Sequence, residues 1–383
     1  MNICYINPTN NIRRPIAELT KILSNEGHKI TIMYPTSNEC PTKNWVANET
    51  IKSGKIKLIP IKSWYFAPLR YNIPNIFQLL KQTKKIYKEN NKVHIWEYYY
   101  LISIIPLIYS LFKKKRRNNT ILTTDGFVAY PYRPKEPSWL TPAFILYTHL
   151  VAKFLFKIPK YLTIYGTAMI KPAKQLKIKN KKIKILSTGI HLDRFENIND
   201  QDIKNLKSEF KIKDETILIY VGMLTQRKRI DKVIKISNKL LEQGYNIKTL
   251  IVGDPHGFNP YPKLVNPKFK DKIIFTGGRK DIPQLMKLSN ILLLLSEEEG
   301  LPGVVMEAMA TGLPVIATNV GCIEDLIIDG KEGHLINNKA DYNKIPTLIK
   351  DKKLQKKFSI NAKEKIKQFE WKTVKDKYLK LYE

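Results

Sequence analysis

An α/β fold of two doubly wound, parallel-sheet domains follows from three observations. Short apolar runs alternate with helix-patterned stretches along both halves of the chain. At 383 residues the chain is too long for one ordinary core and suits two domains of similar size. Between the halves, Gly189 and the Asn/Asp-rich stretch from Glu196 to Asp202 break both patterns, which sets the boundary near Ser187 to Asp202. The expected domains are residues 1–190 and 191–383.

Taken in order, Asn2 to Ile6 reads as the first strand, and Ile16 to Asn25 as a helix that stops at Gly27. His28 to Tyr34 is the next strand, bounded by the turn residues Pro35, Thr36 and Ser37. Pro74 to Lys88 sets Ile76, Leu79, Leu80 and Tyr87 against Lys81, Lys84, Lys85 and Lys88, a basic amphipathic helix. Val93 to Trp96, Thr120 to Thr123 and Tyr161 to Tyr165 are further strands. The uncharged run from Tyr98 to Phe112 is shorter than the ~20 residues a spanning helix needs and contains Pro106, so a buried or interfacial helix is expected. In the second half the strands are Thr216 to Val221, Lys248 to Val252, Lys272 to Phe275, Ile291 to Leu295 and Val315 to Ala317, with a helix at Ile230 to Gln243. One long helix from about Lys352 to Tyr382 closes the chain. Asp200-Gln201-Asp202 reads as N-capping of a helix rather than as a metal site.

Composition narrows the function. The hydrophobic fraction of 43% and the plentiful aromatics argue against disorder. Cys4, Cys40 and Cys322 include no close pair, which argues against a disulfide framework or zinc cluster and fits a reducing cytosol. The first residues lack the pattern of a signal peptide. Sixty-six Lys and Arg against 34 Asp and Glu give +32, which has two readings: a lysine-rich composition throughout, or a polyanionic partner. No zinc finger, helix-turn-helix or RNP-type motif is present, so nucleic acid is not expected. An anionic membrane surface fits better, given the Pro74 to Lys88 helix and the cluster Lys113 to Arg117.

The densest signal is Glu299 to Thr318. Glu299 and Glu307 are separated by seven residues, with Gly300-Leu301-Pro302-Gly303 between them. The order is strand, glycine turn, helix, strand, with Pro302 in the first helical turn and Gly312 at the far end. Glu299 is expected in the loop above the strand end and Glu307 about a turn into the helix. Free N–H groups between them suit a phosphate, and each carboxylate can accept hydrogen bonds from sugar hydroxyls.

This stretch resembles glycosyltransferase family 4, retaining enzymes of the GT-B fold, whose hallmark is Glu-Gly-Phe/Leu-Pro followed by Glu-Ala-Met-Ala-x-Gly-x-Pro-Val. Val221-Gly222-Met223-Leu224 with Arg227-Lys228 resembles the family's phosphate-binding turn, and Phe275-Thr276-Gly277 the next strand and its loop. Gly321 to Asp325, Asp329-Gly330 and Phe369-Glu370-Trp371 fit the later segments. The likeness is dense over roughly residues 185–383.

The resemblance implies two Rossmann-like domains facing across a cleft, an N-terminal acceptor domain, and a C-terminal domain for a UDP- or GDP-linked sugar. It implies that the final helix crosses back to the first domain. Glu307 would hold the ribose diol, Glu299 the hexose, and Lys228 and Arg227 the leaving diphosphate. Gly222, Gly277, Gly300, Leu301, Pro302 and Gly303 would line the donor site. Asp125, ending a strand in Thr123-Thr124-Asp125-Gly126, is the candidate contact for a donor or acceptor hydroxyl. The implied reaction is metal-independent hexose transfer with retention, to a glycan or lipid-linked acceptor in cell-surface polysaccharide or glycoconjugate synthesis. No cofactor and no metal ligand is expected. A cytoplasmic enzyme, peripheral on the inner face of the cell membrane, is the expected location.

Three departures stand out. The family's usual Arg after Gly222 is Met223, the Gly often following the Lys is Arg229, and the first turn, Asn7 to Asn11, lacks glycines. Arg227 or Arg229 could supply the missing guanidinium. A catalytically degenerate GT-B scaffold at the membrane is the alternative, and nucleotide-sugar epimerases of the same architecture lack the paired-glutamate pattern.

Overall fold

The computed structural model describes residues 1–37, 56–69, 71–128, 131–132, 140–255, 257 and 259–383; Cys40 lies outside them. The chain divides into two units, Met1–Gly189 with Trp371–Glu383, and Ile190–Glu370.

The first unit is built on β1 (Asn2–Ile6), β2 (Lys29–Thr36), β3 (Ile56–Phe66), β4 (Tyr71–Pro74), β5 (Lys92–Trp96), β6 (Thr120–Thr124), β9 (Tyr161–Ile164) and β10 (Ile183–Ile185). The sheet order is β10-β9-β6-β5-β1-β2-β3-β4, parallel except for the antiparallel β3–β4 pair at one edge. A separate two-stranded pair joins β7 (Phe127–Val128) to β8 (Pro131–Tyr132). The order reverses at β1, which leaves a topological switch point beyond the C-terminal ends of β1 and β5, where ligands bind in such sheets.

Helix Arg14–Asn25 buries Ile16, Leu19 and Leu23 against β1 and β2. The last helix, Trp371–Tyr382, shares this core through Trp371, Val374, Tyr378 and Tyr382. The Tyr382 hydroxyl lies 2.7 Å from both the Tyr5 hydroxyl and His94 Nδ1, and His94 Nε2 lies 2.6 Å from the Thr123 hydroxyl. Burial pushes the His94 imidazole down to about 3, so it is neutral at ordinary pH.

The second unit holds β11 (Thr216–Val221), β12 (Ile247–Val252), β13 (Ile273–Gly277), β14 (Ile291–Leu294), β15 (Val315–Thr318) and β16 (Gly333–Ile336) in the order β13-β12-β11-β14-β15-β16, all parallel. Helices cover these strands, so both faces are apolar and the strand sequences are continuous runs rather than alternations. Leu218, Ile219, Leu250, Leu292, Leu293 and Ile316 are wholly buried.

Several expectations need correction. The single terminal helix is two, Lys352–Ile366 and Trp371–Tyr382, separated by a short turn and by Glu370, whose ψ of 138° is extended. Only the second belongs to the first unit. The cap of helix Asp200–Glu209 is Asn199, whose side chain accepts from Gln201 N at 2.9 Å. Asp200 and Asp202 instead occupy the first turn, where they complement the helix dipole. Strands β3, β4, β7, β8, β10 and β16 are additional. The basic helix runs from Ile76 to Glu89, capped by Asn75, and the uncharged run forms helix Leu101–Ser110 with Pro106 inside it. Among the described residues no helix is long and apolar enough to cross a membrane.

Candidate nucleotide-sugar site

In the second unit two loops meet at the C-terminal ends of β11 and β14, its own switch point. After β11 the chain passes Gly222 and turns through the short helix Gln226–Lys228. After β14 it passes Ser296 and Glu299 into helix Gly303–Thr311, with Pro302 at the N-cap and Gly312 at the C-cap. The loops are stitched together: Glu297 N donates to Arg227 O at 2.8 Å, and Arg227 Nη1 donates to Glu298 O at 3.0 Å. Lys228 Nζ donates to Glu299 Oε1 at 2.6 Å, with their side chains 13% and 7% exposed. Two residues 71 apart in sequence, both expected at the diphosphate and hexose, are therefore in direct contact.

The rest of the site is backbone and helix terminus. Leu301 and Pro302 are buried, Gly303 is exposed with open space where a Cβ would stand, and Glu307 is half-buried one turn into the helix. Gly321 has φ +63°, and a Cβ there would lie 1.9 Å from the Glu299 carbonyl oxygen. The next residue, Cys322, donates its N–H to Gly300 O at 2.8 Å, so this turn fixes the path of the Glu299 loop. A Cβ on Gly253 would likewise lie 1.9 Å from Gly222 O, which keeps the ends of β11 and β12 close. Gly277 ends β13, and the next N–H, of Gly278, donates to Asp254 Oδ1 at 2.7 Å. The hydroxyl oxygens of Thr225 and Ser296, one on each loop, are buried without a hydrogen-bond partner. Unsatisfied buried hydroxyls are uncommon and mark where a polar ligand would be welcome.

Arg227 and Arg229 differ in how their guanidinium groups are held. Arg229 adopts φ +52°, the left-handed conformation that accounts for the glycine usual at this position. Its guanidinium is committed, with Nη2 2.8 Å from Asp231 Oδ2 and Nη1 2.7 Å from Glu297 Oε1. The hydrogen bond to Asp231, then that to Glu297, raises its affinity for its proton despite partial burial, and the same contact with Arg229 holds the Asp231 carboxyl low. Glu297 is thus a structural partner of Arg229. Arg227, on the same turn, pairs with no carboxylate among the described residues and meets only the Glu298 carbonyl, at 3.0 Å. Met223 is 48% exposed and contributes its carbonyl, which accepts from the Tyr220 hydroxyl at 3.0 Å.

Asp125 lies in the first unit, at the C-terminal end of β6, and it is not an isolated carboxylate. Arg13, at the N-cap of helix Arg14–Asn25, donates Nη2 to Asp125 Oδ2 and Nη1 to Glu97 Oε1, the latter at 2.7 Å. Glu97 ends the adjacent strand β5, is 1% exposed, and adopts φ +62°. Its carboxylate also accepts from Asp125 N at 3.2 Å and from the Thr124 hydroxyl at 2.8 Å. Asn7 replaces the missing glycines of the first turn: its Oδ1 accepts from Arg13 N at 3.0 Å and its Nδ2 donates to Asn11 O at 3.0 Å. Burial, with the nearby Asp125 charge, pushes Glu97 up to about 8. Burial works against the Asp125 charge as well, but Arg13 and the hydrogen bond from Glu97 outweigh it and hold Asp125 low. The pair under one guanidinium thus has its two carboxyls pushed apart, Glu97 toward the protonated form and Asp125 toward the ionised one. Sequence reasoning missed Arg13 and Glu97, although Glu97 follows a predicted strand just as Asp125 does.

Residues 201–365 match the family described as glycosyl transferases, group 1. The N-acetyl-alpha-D-glucosaminyl L-malate synthase of Bacillus anthracis is 31% identical over 188 residues, which cover 48% of this chain and 49% of that protein. An uncharacterized glycosyltransferase of Methanocaldococcus jannaschii is 24% identical across 99% of this chain and 96% of its own length. The chain thus spans about half the length of the first relative and nearly all of the second. HepE of Anabaena, solved in complex with UDP, superposes with a TM-score of 0.76 at 16% identity, over 100% of this chain and 99% of that one. The fold is α/β with two Rossmann-like units, that of GT-B glycosyltransferases, and residues 201–365, less than half of the chain, are similar to group 1 glycosyl transferases.

Proposed function

We propose that this chain is a retaining, metal-independent hexosyltransferase, moving a hexose from a nucleotide diphosphate sugar to a glycan or lipid-linked acceptor in cell-surface polysaccharide or glycoconjugate synthesis. The observation that carries the reading is the Lys228–Glu299 contact beside the N-terminus of helix Gly303–Thr311. Each of these charges neutralises the other. A diphosphate arriving at the helix N-terminus competes for the ammonium, and the released carboxylate is free to accept from a sugar hydroxyl. Glu307 would accept from the two ribose hydroxyls.

In this reaction the bond from the anomeric carbon to the diphosphate oxygen breaks as the bond to the acceptor oxygen forms on the same face. The acceptor proton passes to an oxygen of the leaving diphosphate, whose growing charge Lys228 and Arg227 stabilise. Asp125, held anionic under Arg13, is our candidate contact for a sugar hydroxyl. We further place the protein in the cytoplasm, at the inner membrane face.

A screen of UDP-, GDP- and ADP-sugars, scored by release of the nucleoside diphosphate, tests the reading. Donor-dependent release that survives EDTA and yields an α-linked product from an α-linked donor is expected. Abolition by EDTA with rescue by magnesium or manganese would overturn metal independence. Donor binding without turnover on any acceptor would favour the scaffold alternative.

A further inference from the structure

We propose that the first unit carries a second anion site, a groove at the N-terminal ends of β6, β9 and β10 that takes a multiply phosphorylated ligand. The groove encloses about 730 Å³, and eight of its fourteen lining residues are Lys or Arg, with no Asp or Glu among them. Phe156, Ile158 and Ile178 give it a buried apolar floor, so the cations ring a concavity instead of standing on a convex face. Lys160 and Lys184 both lie over the Tyr161 ring, at 4.9 and 5.2 Å from its centroid. Lys182 is drawn inward, donating to Lys157 O at 2.5 Å and Pro159 O at 2.8 Å.

Elsewhere in the described structure lysines meet carboxylates: Lys272 with Glu215, Lys344 with Asp329, Lys375 with Glu26. Among the described residues no carboxylate forms an ion pair with a cation of this groove. The positive charges therefore repel one another, offset only by the Tyr161 ring and by the carbonyls that Lys182 meets. Burial and then the neighbouring Arg117, Lys179 and Lys181 make Lys182 readier to lose its proton, and burial and then Lys160 do the same to Lys92. A lysine-rich composition accounts for many exposed lysines; it does not account for their convergence on one groove without acidic neighbours. Several tetrahedral, multiply charged groups a few ångströms apart match the ring of ammonium donors, as in an oligophosphate or clustered phosphate headgroups. The groove lies at the opposite end of β6 from Asp125, so its ligand is not the group that Asp125 would contact.

Calorimetric titration with inorganic tripolyphosphate tests this on the full chain. The groove variant Lys179→Ala/Lys181→Ala/Lys184→Ala removes three exposed cations and spares Lys182. The variant Lys353→Ala/Lys356→Ala/Lys357→Ala removes the same charge from helix Lys352–Ile366 of the other unit. We expect saturable binding by the wild type, weakened roughly tenfold or more in the groove variant and about unchanged in the control. Displacement of the tripolyphosphate by phosphatidylglycerol vesicles, but not by phosphatidylcholine vesicles, would identify lipid headgroups as the source; no displacement would identify a soluble phosphate ester. Absence of binding, equal losses in both triple variants, or loss in Lys228→Ala with none in the groove variant would overturn the proposal.

Discussion

Lys228 and Glu299 hold each other in a site where neither side chain is much exposed, so removing one strands the other. Lys228→Ala should cost on the order of 2 kcal/mol of stability, since it leaves a poorly hydrated carboxylate unpaired. In the proposed reaction the ammonium acts on charge that grows as the diphosphate leaves, so turnover should fall by ~10²-fold or more while KM for the donor changes less. Unchanged turnover would remove Lys228 from the chemistry. Glu307→Ala is expected to behave differently, weakening donor binding by about 1.5–3 kcal/mol with the fold intact, as loss of hydrogen bonds to a charged group does. Donor affinity equal to that of the wild type would take Glu307 out of the site. Glu97 makes a prediction about pH. Its folded value of about 8 stands above the ordinary 4.5, so the folded chain retains a proton that the unfolded chain has released. Its contribution to stability is present in full below about pH 4.5 and is lost as pH rises through about 8. Glu97→Gln keeps an acceptor for Arg13 and cannot titrate, so melting midpoints from pH 5 to 9 should decline less steeply than in the wild type. Parallel curves would mean that Glu97 is ionised throughout.

Among the loops, Gly321 bears on the site without touching the expected ligand. With φ +63° and the Glu299 carbonyl where a Cβ would stand, Gly321→Ala must displace the loop that presents Glu299. The left-handed conformation alone costs an L-residue about 1–2 kcal/mol, and the displaced loop adds to it. Reduced donor affinity together with a lowered melting midpoint is expected; a variant that melts lower yet binds donor normally would show that the loop position is immaterial. The same loops explain what could be read in advance. Glu299, the glycine turn and Glu307 lie within nine consecutive residues, and local spacing suffices to recognise them. The Lys228–Glu299 contact spans 71 residues and the Arg13 contacts span 84 and 112, so they depend on which strands become neighbours. Strands β11 and β14 were legible because burial on both faces makes them near-continuous apolar runs. Strand β3 interleaves Lys57 and Lys62 with its apolar residues and contains Pro60, and β10 is only Ile183–Ile185 with Lys184 at its centre. Such strands, at the sheet edge or next to it, carry too little apolar signal to stand out.

For the molecule as a whole, the open matter is what a charge of +32 does. Much of the lysine excess is spread over both units, as compositional bias predicts. Helix Ile76–Glu89 presents a surface that combines charge with exposed apolar area. On helix Ile76–Glu89, Phe77 is 85% exposed, and Ile76 and Leu80 are 40% and 45% exposed, while Lys81, Lys84, Lys85 and Lys88 lie along the same helix. Leu79, Thr83 and Ile86 face inward, so the fold uses only part of this helix's apolar surface. A basic helix with apolar residues turned to solvent is suited to an anionic bilayer, where each Lys near the surface contributes about 1 kcal/mol and the apolar side chains enter the interface. Four lysines and Phe77 then give an affinity that salt weakens and that loss of the aromatic ring reduces. Flotation with phosphatidylglycerol and phosphatidylcholine vesicles at low and high salt is the direct measurement. The chain should float with the anionic vesicles at low salt, less at high salt, and Phe77→Glu should float least under every condition. Equal recovery in the unbound fraction for all conditions and both proteins would leave the charge to composition and point to an acceptor in solution.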